Sequence, residues 1–384
     1  MRADTAIAGI GLAGIGEAFG FSEIEILAMA AKSAADDAGL NLKEIDGIAT
    51  ASIGASMWVM PVVEYLGIRP SYIDGTMIGG SSFMSHLLPA ARAIIAGQCS
   101  NVLVCYGSTQ RTSKFGRQEI VAARRYLDPQ PYEYRYQPVL PVSSYALAAS
   151  RHMYEYGTTR EQLAHVAVSA REWAELHPLA FAKGPLTLEE VLSSRPISSP
   201  LTVRDCCLVT DGAGAFILTS SSRAKDLRKK PVFFLGGATE IWHRQISSMH
   251  DLTHTAAQVS GKRAYEMAGL SPSEIDVVSV YDAFTINVLL FLEDLGFCKK
   301  GEAGAFVESG AIKPGGSLPV NTNGGGLSFA HPGMFGIFQI IEVVEQLRHE
   351  AKLRQVKSAE VGLVHGNGGT LSSQSTAIFS NVQR

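Results

Sequence analysis

Apolar residues along this chain fall into two spacings. Short continuous runs such as 6–10 (AIAGI), 45–52 and 102–105 read as buried strands, each ending near glycine or a polar turn. Between them the spacing becomes helical. Over 23–39, Ile24, Ile26, Leu27, Ala30, Ala34 and Ala38 share one face, and Gly39 stops the run. Residues 86–97 form a further helix. From Phe335 onward, Ile337, Phe338, Ile340, Ile341 and Val344 predict a buried helix.

The order of these elements repeats. AGLNLKEID at 38–46 returns as AGLSPSEID at 268–276, with six of nine residues identical. GGSSFMSH (79–86) is mirrored by GGGLSFAH (324–331), and NVLVCYG (101–107) by VGLVHGNGG (361–369). Three pairs in one order indicate internal duplication. The expected halves are 1–222 and 223–384, joined through the polar, basic stretch SSSRAKDLRKKP (220–231). Residues 109–200 have no counterpart and read as an insertion with its own helices, such as 160–176. The insertion carries Arg111, Lys114, Arg117, Arg124, Arg125 and Arg135. That charge is either solvated surface or a seat for a phosphorylated carrier, with Arg124 and Arg125 the named candidates. Alternating strands and helices predict an α/β fold, with mixed, mainly parallel sheets covered by helices on both faces. Chemistry then belongs at the carboxyl ends of the strands, so loops 79–85, 281–287, 321–333 and 365–369 should converge.

The chain has 384 residues, 46% of them hydrophobic, enough for two similar lobes. Its 33 Lys+Arg against 36 Asp+Glu give a net charge of −3, which offers no case for nucleic acid or an anionic membrane. Five cysteines (Cys99, Cys105, Cys206, Cys207, Cys298) without Cys-x-x-Cys spacing predict free thiols in a reducing compartment and no metal site. The first residues do not resemble a secretory signal, and no run reaches the ~18 apolar residues of a membrane span. The expectation is a cytoplasmic protein without membrane insertion.

Residues 321–336, NTNGGGLSFAHPGMFG, draw the chemistry together. Gly324, Gly325 and Gly326 let the backbone approach a ligand and offer bare N–H groups. A helix follows, and helix N-termini favour negative charge. His331 there is a candidate acid or electrophile; a tight loop merely capped by His331 accounts for the same residues.

These stretches, with AIAGIG, RPISSPLTVRDCCLVTDGAGAFILTS (195–220), YDAFT (281–285) and HGNGG (365–369), resemble the thiolase superfamily, specifically the sterol-carrier-protein-type thiolases. The resemblance runs nearly end to end. It implies a five-layered α-β-α-β-α fold of two related halves, a homodimer, and acyl-CoA thioester substrates without a resident cofactor. The family's cysteine nucleophile would fall near Gly80-Ser81, where no cysteine stands. His365 takes the place of the second cysteine, Tyr281 replaces the family's Asn or His, and His331 is kept.

A serine at Ser81 or Ser82 would need a base, and His86, His331 and His365 are the candidates. An enolate needs no nucleophile. His331 and the amides near Gly366, Asn367 and Gly368 could hold a thioester oxygen, with Asn323 and Gly325 bracing the pocket. Tyr281, with its pKa lowered by a cationic or hydrogen-bonding neighbour, is the expected base for a β-hydroxyl, and His365 the expected acid. Asp282 reads as a turn cap. Similarity to thiolase-like aldolases that cleave steroid side-chain CoA esters implies a retro-aldol lyase of lipid metabolism. It also implies a small partner carrying an OB fold and a zinc ribbon. The competing expectations are an acyltransferase using another nucleophile, and a non-catalytic acyl-CoA or lipid carrier or scaffold.

Overall fold

The computed structural model describes residues 2–113 and 132–384. Lys114, Arg117, Arg124 and Arg125 of the insertion lie outside the described residues. Strands β1 (Thr5–Gly16), β2 (Gly47–Thr50), β3 (Tyr72–Asp74) and β4 (Asn101–Ser108) come from the first half. A two-stranded ribbon follows, β5 (Pro196–Ser198) with β6 (Leu201–Thr202), and then β7 (Asp211–Ser220). The second half contributes β8 (Val232–Ile241), β9 (Val277–Val280), β10 (Val361–Gly368) and β11 (Ser373–Ser380).

Nine strands form one sheet in the order β3-β2-β4-β7-β1-β8-β11-β10-β9. Around the β1–β8 junction the order 2-4-7-1 is answered by 8-11-10-9, so equivalent strands sit in mirrored positions. The junction itself is only the pairs Ala6↔Phe233 and Ile7↔Val232. The sheet is mixed: β2 is parallel to β3 and β4, and β9 to β10, while β7 and β11 run antiparallel to their neighbours. Helix Glu23–Ala38 covers β1, β4 and β7 on one outer face, and helix Ala257–Ala268 covers β8 and β11 on the other. Helices Leu87–Ile95 and Gly336–Leu347 lie between, touching strands of both halves. The result is the α/β layering α-β-α-β-α.

The repeated AGL…EID segments fold alike for the same reasons. Gly39 and Gly269 both end a helix at positive φ (76° and 63°), where other residues are strained. The Asp46 carboxylate accepts the amides of Ser100 and Asn101 at 2.7–2.9 Å, tying β2 to the start of β4. Asp276 does the same for Glu360 and Val361, both at 2.9 Å, at the start of β10. The insertion packs helices Val142–Tyr156 and Arg160–Leu176 over the second half, the latter opened by a Thr159–Gln162 capping box. Among the described residues no helix is long and apolar enough to cross a membrane.

Candidate active site

Each half brings loops to one place, and small residues permit it. The Gly80 carbonyl sits where a β-carbon at Gly336 would fall, 2.0 Å away, and 3.1 Å from one at Gly366. A β-carbon at Gly79 would likewise stand 2.7 Å from the Gly368 Cα. Tyr281, at the carboxyl end of β9, lies with its ring against Gly80, and its N–H donates to the His365 carbonyl at 3.0 Å. All four predicted loops therefore converge.

Tyr281 and His331 form the centre. The phenol oxygen lies 3.0 Å from His331 Nε2 and accepts the Phe335 amide at 3.1 Å. Phe335 precedes the first turn of Gly336–Leu347, so that amide carries the helix's positive end. Burial pushes His331 down to about 4, leaving the ring neutral. A hydrogen bond to its own main chain favours the proton on Nδ1, so Nε2 accepts from the phenol. His331 is fixed by its amide on Thr210 Oγ1 (2.9 Å) and by Tyr106, whose hydroxyl bonds the Pro332 carbonyl.

The expected low pKa of Tyr281 is corrected. Burial drives it well above 10; the charges that Cys207, Tyr145 and Tyr106 could carry only raise it further, and His331 beside it is neutral. Alone it is a poor base; paired with neutral His331 it can pass a proton on.

The Gly-rich turn also differs from expectation. Its amides are already satisfied: Gly324 on the Asn321 carbonyl (2.8 Å), Gly325 on Asn323 Oδ1 (2.8 Å), Gly326 on Asp282 Oδ1 (2.7 Å). Leu327 adds 3.3 Å to Asp282 Oδ2. Bare buried amides would each cost a few kcal/mol, and Asn323 and Asp282 remove that cost. Asn323 and Gly325 are thus internal bracing, and Asp282 is the expected cap. Its carboxyl is pushed up to about 6 by burial, against these amide bonds. The turn is a single wide coil, Gly325–Phe329, and the helix begins only at Gly336, five residues past His331.

His365 is not placed as an acid. Nδ1 lies 2.9 Å from Thr376 Oγ1 and Nε2 2.8 Å from Gln374 Oε1, and the ring packs edge-on to Phe291 at 4.6 Å. Burial holds it at about 4. Both nitrogens are occupied inside the protein. Gly366, Asn367 and Gly368 belong to β10, paired with Ser375, Gln374 and Ser373, and are no free oxyanion loop. The small size of Gly368 serves packing, since a β-carbon there would stand 1.8 Å from the Ile78 carbonyl.

Among the described residues the serine route has no base. Ser81 Oγ meets Ser373 Oγ (2.6 Å) and the Ile78 carbonyl (2.9 Å); Ser82 Oγ donates to Gly79 O at 2.7 Å. His86 Nε2 faces the Thr76 carbonyl at 2.9 Å. Cys206 and Cys207 are half-buried near the site, and burial raises both thiols, Cys206 to about 12. Among the described residues one group of side chains could chelate an ion, His177 with Glu342 and Glu345, but Arg354 already bonds both carboxylates.

Sequence reasoning missed Tyr145 and Asn287. Tyr145 comes from the unmatched insertion, where nothing marked it. Its ring stacks on Phe284 at 4.3 Å, and its hydroxyl accepts Asn367 Nδ2 (2.9 Å) and donates to Gly369 O (3.0 Å). Asn287 closed the expected 281–287 loop, but nothing singled it out there, and it lies in the first turn of helix Thr285–Asp294.

Comparison with known proteins gives the family. Residues 238–381 match the family described as Thiolase C-terminal domain-like. A protein named acetyl-CoA acetyltransferase from Methanothermobacter thermautotrophicus is 34% identical over 98% of this chain and 99% of its own. A steroid side-chain-cleaving aldolase from Thermomonospora curvata is 34% identical over 88% of this chain and 90% of its own. The solved structure titled Ltp2-ChsH2(DUF35) aldolase superposes with a TM-score of 0.89 at 31% identity, covering 99% of this chain and 98% of that one. The chain belongs to the thiolase superfamily, in the aldolase-like branch that lacks the cysteine nucleophile.

Proposed function

We propose that this protein cleaves the Cα–Cβ bond of a β-hydroxyacyl-CoA by a retro-aldol reaction, without an acyl-enzyme. The observation that carries the reading is the Tyr281–His331 pair, standing against Gly80 where a nucleophile would otherwise project. The β-hydroxyl gives its proton to the Tyr281 oxygen as the phenol proton moves to His331 Nε2. The Phe335 amide steadies charge on the phenol oxygen during transfer. The Cα–Cβ electron pair then becomes the thioester enolate. The similarity to the two aldolases supports this reading.

The substrate enters as its coenzyme A thioester, and no resident cofactor takes part. Arg124 and Arg125 remain candidates for its phosphates. We further propose a homodimer in the cytoplasm, working with a small subunit of OB-fold and zinc-ribbon type. The similar aldolase is a complex of Ltp2 with ChsH2, which supports a partner subunit. The acyltransferase reading has the similarity to the archaeal protein in its favour. It requires a nucleophile, and Ser81, Ser82 and the cysteines lack a base. Incubation with a β-hydroxyacyl-CoA tests the proposal: release of a carbonyl product and a shorter acyl-CoA, with the protein's intact mass unchanged, supports it. An acyl adduct on Ser81, Ser82 or Cys207 during turnover would replace it with acyl transfer. Binding without turnover, with and without the small subunit, would leave a carrier.

A further inference from the structure

With His365 displaced from the acid role, the group that protonates the enolate carbon is unassigned. A second phenol stands beside the first. Tyr145 lies across Phe284, three residues past Tyr281, and within electrostatic reach of the Tyr281 phenol. Its hydroxyl proton is spent on the carbonyl of Gly369, which is exposed to solvent. Beside its oxygen sits the Asn287 carboxamide, fully buried; the Tyr145 phenol is its polar neighbour, yet neither Oδ1 nor Nδ2 reaches good hydrogen-bond geometry with any protein group. An amide buried in that state costs a few kcal/mol unless something binds it. Gly80 ties this side of the site to the base: a β-carbon there would meet both the Tyr281 ring and the Asn367 carbonyl.

We propose that Tyr145 is a second catalytic phenol, protonating the enolate carbon, and that Asn287 Nδ2 donates to the thioester oxygen. This rests on the aldolase reading above. When the Cα–Cβ bond breaks, its electron pair enters the enolate and the β-carbon becomes a carbonyl. The Tyr145 O–H bond then breaks, and its proton forms the new Cα–H bond. The phenolate regains a proton from water at the Gly369 edge, and His331 returns its proton to solvent, which closes the cycle.

A chain of oriented hydrogen bonds sets Tyr145 for this. His365 Nε2–H donates to Gln374 Oε1 (2.8 Å), Gln374 Nε2 to Asn367 Oδ1 (2.9 Å), and Asn367 Nδ2 to the Tyr145 oxygen (2.9 Å). With a lone pair engaged by Asn367, the phenol rests with its proton on the Gly369 carbonyl and must release that bond to serve the enolate. His365, Gln374 and Asn367 are positioning residues, acting through Tyr145.

The test uses the full chain with propionyl-CoA in D₂O, followed by mass spectrometry, and β-hydroxyacyl-CoA cleavage in parallel. Wild type is expected to exchange the α-hydrogens and to cleave. Tyr145→Phe should lose exchange by at least ~100-fold, the usual scale of a general acid. If that variant folds poorly, 3,5-difluorotyrosine at position 145 replaces it, and the alkaline limb of exchange should move to lower pH. Exchange at the wild-type rate in Tyr145→Phe, or an unmoved limb in the fluorinated protein, overturns the assignment and leaves the aldolase reading standing. Wild type that neither cleaves nor exchanges overturns both.

Discussion

A β-carbon at Gly80 would stand 2.0 Å from Tyr281 Cε2 and 2.4 Å from Cζ. The tyrosine ring fills the space into which a side chain at position 80 would project. A nucleophile at 80 and a phenol at 281 are therefore alternatives in this fold. The missing cysteine and the tyrosine in YDAFT are one change seen from two places.

Gly80→Ala should destabilise the protein and displace Tyr281. Overpacking of this kind costs ~1–3 kcal/mol, and here ring and backbone both resist. Melting temperature and cleavage rate should fall together. Adding Tyr281→Ala should recover part of the melting temperature and none of the activity. A Gly80→Ala protein with unchanged rate would show that the ring has room.

His365→Leu separates structure from chemistry. It strands Gln374 and Thr376 in the interior, and each unpaired buried group costs ~1–3 kcal/mol. The melting temperature should drop, while cleavage falls through misplacement of Tyr145. Full loss of cleavage at an unchanged melting temperature would return His365 to the acid role.

Acid should weaken the fold through the histidines. His331 and His365 are held at about 4, below their usual 6.5, so between those values the unfolded chain binds more protons. Stability falls as pH drops from 6.5 towards 4, by on the order of 3 kcal/mol for each buried ring. Asp282 acts oppositely: raised to about 6, it takes up a proton in the folded state first and favours folding as pH drops from 6 towards 3.8. Asp282→Asn removes that compensation, and denaturation curves at pH 6.5 and 4.5 should show a larger loss in the variant. An equal loss would mean that the carboxyl titrates normally.

Much of the fold was legible because the duplication is written in residues that act locally. Gly39 and Gly269 end helices, and Asp46 and Asp276 bind the next strand's amides, so sequence identity tracked structural identity. Convergence of the four loops followed from strand order. Side-chain direction did not. His365 lies on β10 between glycines, where no apolar alternation marks which face is which, and it turned inward to Phe291. The amides of Gly326 and Leu327 looked free because Asp282, their acceptor, lies more than forty residues earlier, and those of Gly324 and Gly325 because the turn folds them back onto Asn321 and Asn323. Tyr145 sits in an insertion with no repeat to compare it with.

The decisive measurement is the rate of β-hydroxyacyl-CoA cleavage by Tyr281→Phe beside wild type, at matched folding and CoA-ester affinity. The variant keeps the ring against Gly80 and removes only the oxygen between His331 and the Phe335 amide. Loss of ~100-fold or more in turnover, with substrate still bound, is the predicted result. Cleavage at the wild-type rate would contradict it, because the proton would then be leaving by another group.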